Sequence, residues 1–167
     1  MASVPDPEAS AALSVRASCP GRVCSGWTMT DTAGMAAEFV SSARLFAGAP
    51  YAYAATAHET GLVLTAGACP LDDQGRVVAP GDIALQMRRA IDNLRIALEE
   101  CGAQMGDVLK TTIFVSSNSR DDLLLAWNEV AAAFGDTKPP STLLGVAVLG
   151  YPDQLVEIEA IALAAPR

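Results

Sequence analysis

Gly61-Leu62-Val63-Leu64-Thr65-Ala66-Gly67 opens, and Val156-Glu157-Ile158-Glu159-Ala160-Ile161-Ala162 closes, the stretch whose reading decides the fold. Leu62 to Thr65 favour a pleated, half-buried surface. In the closing segment Val156, Ile158, Ala160 and Ala162 alternate with Glu157, Glu159 and Ile161, the period of two that marks a strand. Between the two segments the period changes. Ile83, Met87, Ala90, Ile91, Leu94 and Leu98 recur at spacings of three and four, which predicts a helix over Asp82 to Cys101. Asp82 is placed to cap its first turn and Gly102 to end it. A second helix is expected from a cap at Asp121 or Asp122 to about Phe134. Val108 to Ser116, Ser141 to Leu149 and Leu155 to Leu163 read as strands. Pro50 to Ala57 and Gly61 to Ala68 read as a hairpin about His58-Glu59-Thr60, and Val77-Val78 as a short strand.

The order of elements is that of an α+β domain in which two helices cover one face of a single sheet. Leu143, Val148, Val156, Ile158 and Ile161 then supply more apolar surface than two helices hide, and a bare apolar sheet face is an interaction site. Self-association through the sheet, as a ring, is the expectation. Residues 1–43 read as a flexible extension dominated by small residues and prolines, with a short helix over Gly34 to Leu45. The compact domain is expected over 44–167. Met29 and Met35 are alternative translation starts.

The chain has 167 residues, 51% of them hydrophobic and 18% charged, which suits one folded domain. Its net charge of −8 lacks the basic footprint of a nucleic-acid partner. No apolar run is long enough for a membrane span. The N-terminus carries neither an early positive charge nor an apolar core, so the expected location is the cytoplasm. Cys19, Cys24, Cys69 and Cys101, with the distant His58, do not make a ligand set for zinc. Free thiols are expected.

Thr65-Ala66-Gly67-Ala68-Cys69-Pro70, Ala90-Ile91-Asp92-Asn93-Leu94, Gly106 to Val115 and Val156 to Ala162, taken in this order and spacing, resemble the RidA/YjgF family, also called endoribonuclease L-PSP. The resemblance spans about residues 48–165. It implies a chorismate-mutase-like α+β fold and a homotrimer with small-molecule pockets between subunits. It also implies hydrolysis of enamines and imines to ketones and ammonia, with no metal or organic cofactor. In the family a glutamate on the last strand and backbone groups hold a water, and an arginine at the start of the fifth strand pairs with the substrate carboxylate. The glutamate position falls on Glu157, the backbone position on Gly67 and Ala68, and an early tyrosine on Tyr51. The arginine position falls on Ser141, and a frequent cysteine two residues later is Leu143.

Losing a guanidinium–carboxylate pair removes charged hydrogen bonds of roughly 1.5–3 kcal/mol, about a ten- to hundredfold weaker grip on a 2-imino acid. Lys138 lies three residues upstream in a proline-bounded loop and reads as solvated; Arg88, Arg89 and Arg95 read as facing water from their helix. The pocket is expected to comprise Tyr51, Gly67, Ala68, Asn93, Ser141, Thr142 and Glu157, with Tyr53 close by. Glu157 is its candidate general base, although strand glutamates are commonly just exposed. Cys69 has no histidine nearby in sequence to activate it, His58 reads as an exposed turn residue, and Trp127 reads as packing. Two functions remain open: an imine or enamine hydrolase with altered substrate choice, and a non-catalytic ligand-binding or interaction paralogue.

Overall fold

The computed structural model describes residues 37–164. Strands β1 (Ala37–Val40), β2 (Ala54–Ala57), β3 (Leu62–Thr65), β4 (Val108–Val115), β5 (Ser141–Gly145) and β6 (Val156–Leu163) form one sheet in the order β1-β2-β3-β6-β4-β5. Neighbours are antiparallel except β4 and β5. A parallel pair needs a crossover, and helix α2 (Arg120–Phe134) provides it; helix α1 (Ile83–Glu100) precedes β4. The last strand is therefore threaded between β3 and β4, at the centre of the sheet. Among the described residues no helix is long and apolar enough to cross a membrane.

Helix α1 forms as its periodicity predicts. Asp82 Oδ1 accepts from Leu85 N at 2.9 Å, and Gly102 adopts φ +76° just beyond the last turn. Met87, Ala90, Ile91, Leu94 and Leu98 are buried against β3 and β6. Each large side chain among them stabilises the fold by about 1.5–3 kcal/mol. Helix α2 begins two or three residues earlier than expected. Ser119 holds the cap position without a side-chain bond, while Asp122 accepts from Ser117 Oγ at 2.6 Å.

The sheet divides the surplus apolar residues differently from the expectation. Val156 and Ile158 lie fully buried beneath the helices, and Leu143, paired with Ile113, faces the same way. Ile161 lies on the open face as expected, joined there by Phe39, Leu64, Leu144 and Leu163, all exposed, interspersed with Lys110, Thr112, Glu157 and Glu159. Strand β1 is a second correction. Within the helix expected over Gly34 to Leu45, Ala37–Val40 is a strand hydrogen-bonded to β2, with Phe39 opposite Ala55, and residues 41–45 are turn and irregular chain.

Two local features shape the end of the sheet around the start of β6. β3 pairs with β6 in one register through Leu64↔Ile161, and pairing resumes one residue out of step at Ala68↔Ile158. Such a bulge bends the strand and re-aims its backbone, here at Ala66 and Gly67. The turn before β6 is fastened by Gln86, wholly buried on α1, whose Nε2 donates to Asp153 O at 2.9 Å and whose Oε1 accepts from Leu155 N at 2.8 Å.

Candidate active site

Glu157 lies at the start of β6, on the open face, beside the bulge. Its Oε2 accepts from Gln154 Nε2 at 3.0 Å and from the Cys69 thiol at 3.4 Å. Gln154 is itself 4% exposed and held in place, its Oε1 accepting from Tyr151 N at 3.0 Å. On the third side is Gly67, where a β-carbon would stand 1.8 Å from Glu157 Oε1. The absent side chain is what lets the carboxylate lie against the backbone. Ala68 completes this wall by exchanging backbone bonds with Ile158.

The Cys69 thiol is pushed up to about 12 by burial first and by the Glu157 charge second. It is thus a neutral donor to the carboxylate at physiological pH, not a nucleophile. Tyr51 Oη meets Tyr151 Oη at 3.3 Å, and the Tyr51 and Tyr53 rings pack edge to face with centroids 5.8 Å apart. Burial raises the titration of both phenols, Tyr51 with a further contribution from its bond to Tyr151. Both tyrosines stand in the loop ahead of β2 rather than on the strand.

A narrow cleft runs from this loop to α1. Tyr51, Tyr53, Gly67, Cys69, Arg89 and Asn93 line it. It contains about 390 Å³ of empty space, partly open to solvent. Phe46 closes one end, its ring so close to Gly48 and Gly75 that a β-carbon at either would meet it at 2.4 or 2.6 Å.

The structure thus brings Tyr51, Gly67, Ala68 and Asn93 to one cleft, with Glu157 touching Gly67 and Cys69 on its border. It separates Ser141 from them. In the β4–β5 register Ser141 pairs with Thr111 on the helix side of the sheet, donating to Pro139 O at 2.9 Å and accepting from Thr111 Oγ1 at 2.7 Å. Thr142 does face the open side, where Lys110 Nζ donates to its hydroxyl at 2.7 Å. Sequence reasoning misses Gln154, Tyr151 and Arg89. Gln154 lies in the turn just before Glu157, and Arg89 is four residues before Asn93, a spacing that shares a helix face. Among the described residues no three His, Cys, Asp or Glu side chains cluster so as to hold a metal ion.

A single sheet with two helices on one face, and a glutamate pinned on its last strand, defines an α+β fold of the chorismate-mutase-like class. The chain belongs to the endoribonuclease L-PSP family, the RidA/YjgF family of the sequence resemblance: the family's model matches residues 41–164. It is 34% identical over 114 residues to a RutC family protein of Pyrococcus horikoshii, covering 68% of this chain and 86% of that one. It is 32% identical over 102 residues to the 2-iminobutanoate/2-iminopropanoate deaminase of Escherichia coli, covering 60% of this chain and 78% of that enzyme. The fold is similar to that of a YjgF/UK114 family member from Mycobacterium tuberculosis, with a TM-score of 0.62 at 34% identity, covering 77% of this chain and 99% of the other.

Proposed function

We propose that this protein hydrolyses small imines or enamines, as a homotrimer joined through the open sheet face, with substrate choice shifted from that of its deaminase relatives. The observation that carries this reading is the Glu157 carboxylate, fixed by Gln154 and Cys69 against Gly67. A carboxylate held with one oxygen engaged keeps the other available to take a proton from water. Glu157 takes a proton from water as the oxygen adds to the imine carbon and passes it to the nitrogen, giving a carbinolamine. Glu157 then takes the hydroxyl proton and returns it to the amino group, which leaves as ammonia as the carbon–nitrogen bond breaks and the carbonyl forms. An enamine first tautomerises to the imine. The apolar residues of the open face, Leu64, Leu144, Ile161 and Leu163 among them, support the assembly.

A second reading, a ligand-binding paralogue without turnover, is favoured by Ser141, whose hydroxyl is occupied by Thr111 and Pro139 on the helix side of the sheet. Imines generated in situ from amino acids and from neutral amines separate the two. Accelerated decay that Glu157→Gln abolishes, with ligand affinity kept, supports the hydrolase. No acceleration across the panel supports the binder. A monomer mass in light scattering at micromolar concentration would overturn the trimer.

A further inference from the structure

The helix side of the sheet holds a second hollow, between the end of α2 and the loop that leads into β5. It contains about 640 Å³ of empty space, partly open to solvent, against about 390 Å³ for the cleft. Trp127, Val130 and Phe134 of α2 line one side, at the spacings of three and four that share a helix face. Thr137, Lys138 and Pro139 line the other.

The loop wall is fastened at both ends. Thr137 N donates to Phe134 O at 3.0 Å, and Thr111 N on β4 donates to Pro140 O at 3.0 Å. Ser141 Oγ donates to Pro139 O at 2.9 Å while accepting from Thr111 Oγ1 at 2.7 Å. The two prolines restrict the backbone between these anchors. Ser141, which takes no part in the cleft, is thus a clasp for this hollow.

Largely apolar walls with a few polar groups are the make-up of a small-molecule site. The Trp127 indole is 36% exposed, although Val130 and Phe134 on the same helix face are buried. An aromatic plane left open beside an apolar hollow is a stacking surface. Lys138 Nζ, the Thr137 hydroxyl and the Trp127 indole N–H meet no acceptor among the described residues. By contrast Arg44, Arg76, Arg88 and Arg95 each pair with a carboxylate. Among the described residues no acidic side chain lines the hollow. It offers a flat apolar wall, unused donors and one unpaired positive charge.

We propose that this hollow binds a small planar aromatic carboxylate, with the ring against Trp127 and Phe134 and the carboxylate on Lys138. It lies on the opposite face of the sheet from Glu157 and stands apart from the hydrolase reading. Its occupant is a second ligand, distinct from the hydrolysed substrate.

Full-length protein is titrated by calorimetry with benzoate, with its neutral amide, benzamide, and with acetate, an anion without a ring. Benzoate binds most tightly and acetate not measurably. Lys138→Gln weakens benzoate roughly two- to fivefold, to the level of benzamide, and added salt does the same. Trp127→Leu, which keeps apolar bulk but not the ring plane, weakens acid and amide alike by about two- to tenfold. Ala131→Phe, on an exposed lining position of α2, fills the hollow and abolishes binding of both. Arg120→Gln, an exposed cation at the other end of α2, matches the parent. No binding of benzoate by the parent at millimolar concentration overturns the site. So does binding that Trp127→Leu and Ala131→Phe, each with native circular dichroism, leave unchanged. Equal affinity for acid and amide overturns the carboxylate assignment. A change of assembly mass in light scattering on Ala131→Phe would make the hollow a contact between copies of the chain and overturn the ligand site.

Discussion

Glu157 lies against the α-carbon of Gly67 with no room for a methyl group: a β-carbon there would be 1.8 Å from Oε1. Gly67→Ala must therefore displace the carboxylate or the bulge that carries it. Misplacing a catalytic group by about 1 Å costs on the order of 10²-fold in rate. The expected outcome is a loss of that size in imine hydrolysis with far-ultraviolet circular dichroism retained. Full activity in Gly67→Ala would show that the close approach is not needed.

The Cys69 thiol provides a pH test. Its folded pKa is raised from 9.0 to about 12 by burial and by Glu157, so the folded protein keeps a proton that the unfolded chain releases above 9.0. Its stabilising contribution is complete below pH 9 and is lost as pH rises from 9 toward 12. Urea melts across that window should show falling stability, less steeply in Cys69→Ser. Peptide-resolved alkylation at about pH 8, below the ordinary thiol range, should leave Cys69 largely unmodified in folded protein and fully labelled in urea.

Gln86 predicts an effect on stability that reaches the site. Gln86→Leu preserves bulk on α1 but leaves Asp153 O and Leu155 N without their side-chain partner. Unpaired buried groups cost about 1–3 kcal/mol each, so a loss of about 3 kcal/mol is expected in chemical denaturation. Because the same turn carries Gln154, hydrolysis should also fall. A neutral Gln86→Leu would mean that water replaces the amide.

The ion pair between the helices has the opposite pH sign. Arg88 donates twice to Glu129, at 2.7 and 2.8 Å, and these bonds hold the carboxyl below its ordinary 4.5. Its contribution is present above pH 4.5 and is lost as pH falls through the lower folded value. Arg88 is largely solvent-exposed, so the effect is small and shrinks in salt. Glu129→Gln should lower the melting temperature slightly at about pH 7, and the difference should shrink toward nothing in acid as the carboxyl protonates.

Local signals in the sequence suffice where one element decides its own form. Asp82, the apolar stripe of α1 and Gly102 define that helix without knowledge of its neighbours. The error at residues 37–40 has another origin. Met35 and Phe39 are four apart, which suits a helix, but pairing with β2, set from a distance, makes the segment a strand. Ser141 shows the same limit within the site. Its identity is legible, yet the face it occupies depends on the parallel register with β4. One step of register would turn it to the other side. Glu157, Gly67 and Tyr51 are recognisable because the motif fixes their parity. Arg89 reads as a solvent-facing helix residue, although its spacing from Asn93 holds the clue to the cleft.

Strand β1 ends at Val40, and the match to the family's model begins at residue 41. The matched stretch and the hydrogen-bonded sheet thus differ by a strand. A fragment trimmed to the matched bounds would strip the outer rim of β2, leaving Ala54–Ala57 with a row of bare amides and carbonyls. Such a rim is adhesive, recruiting whatever strand it meets. The four residues just ahead of the matched stretch are, in this chain, what gives β2 its second hydrogen-bonding partner.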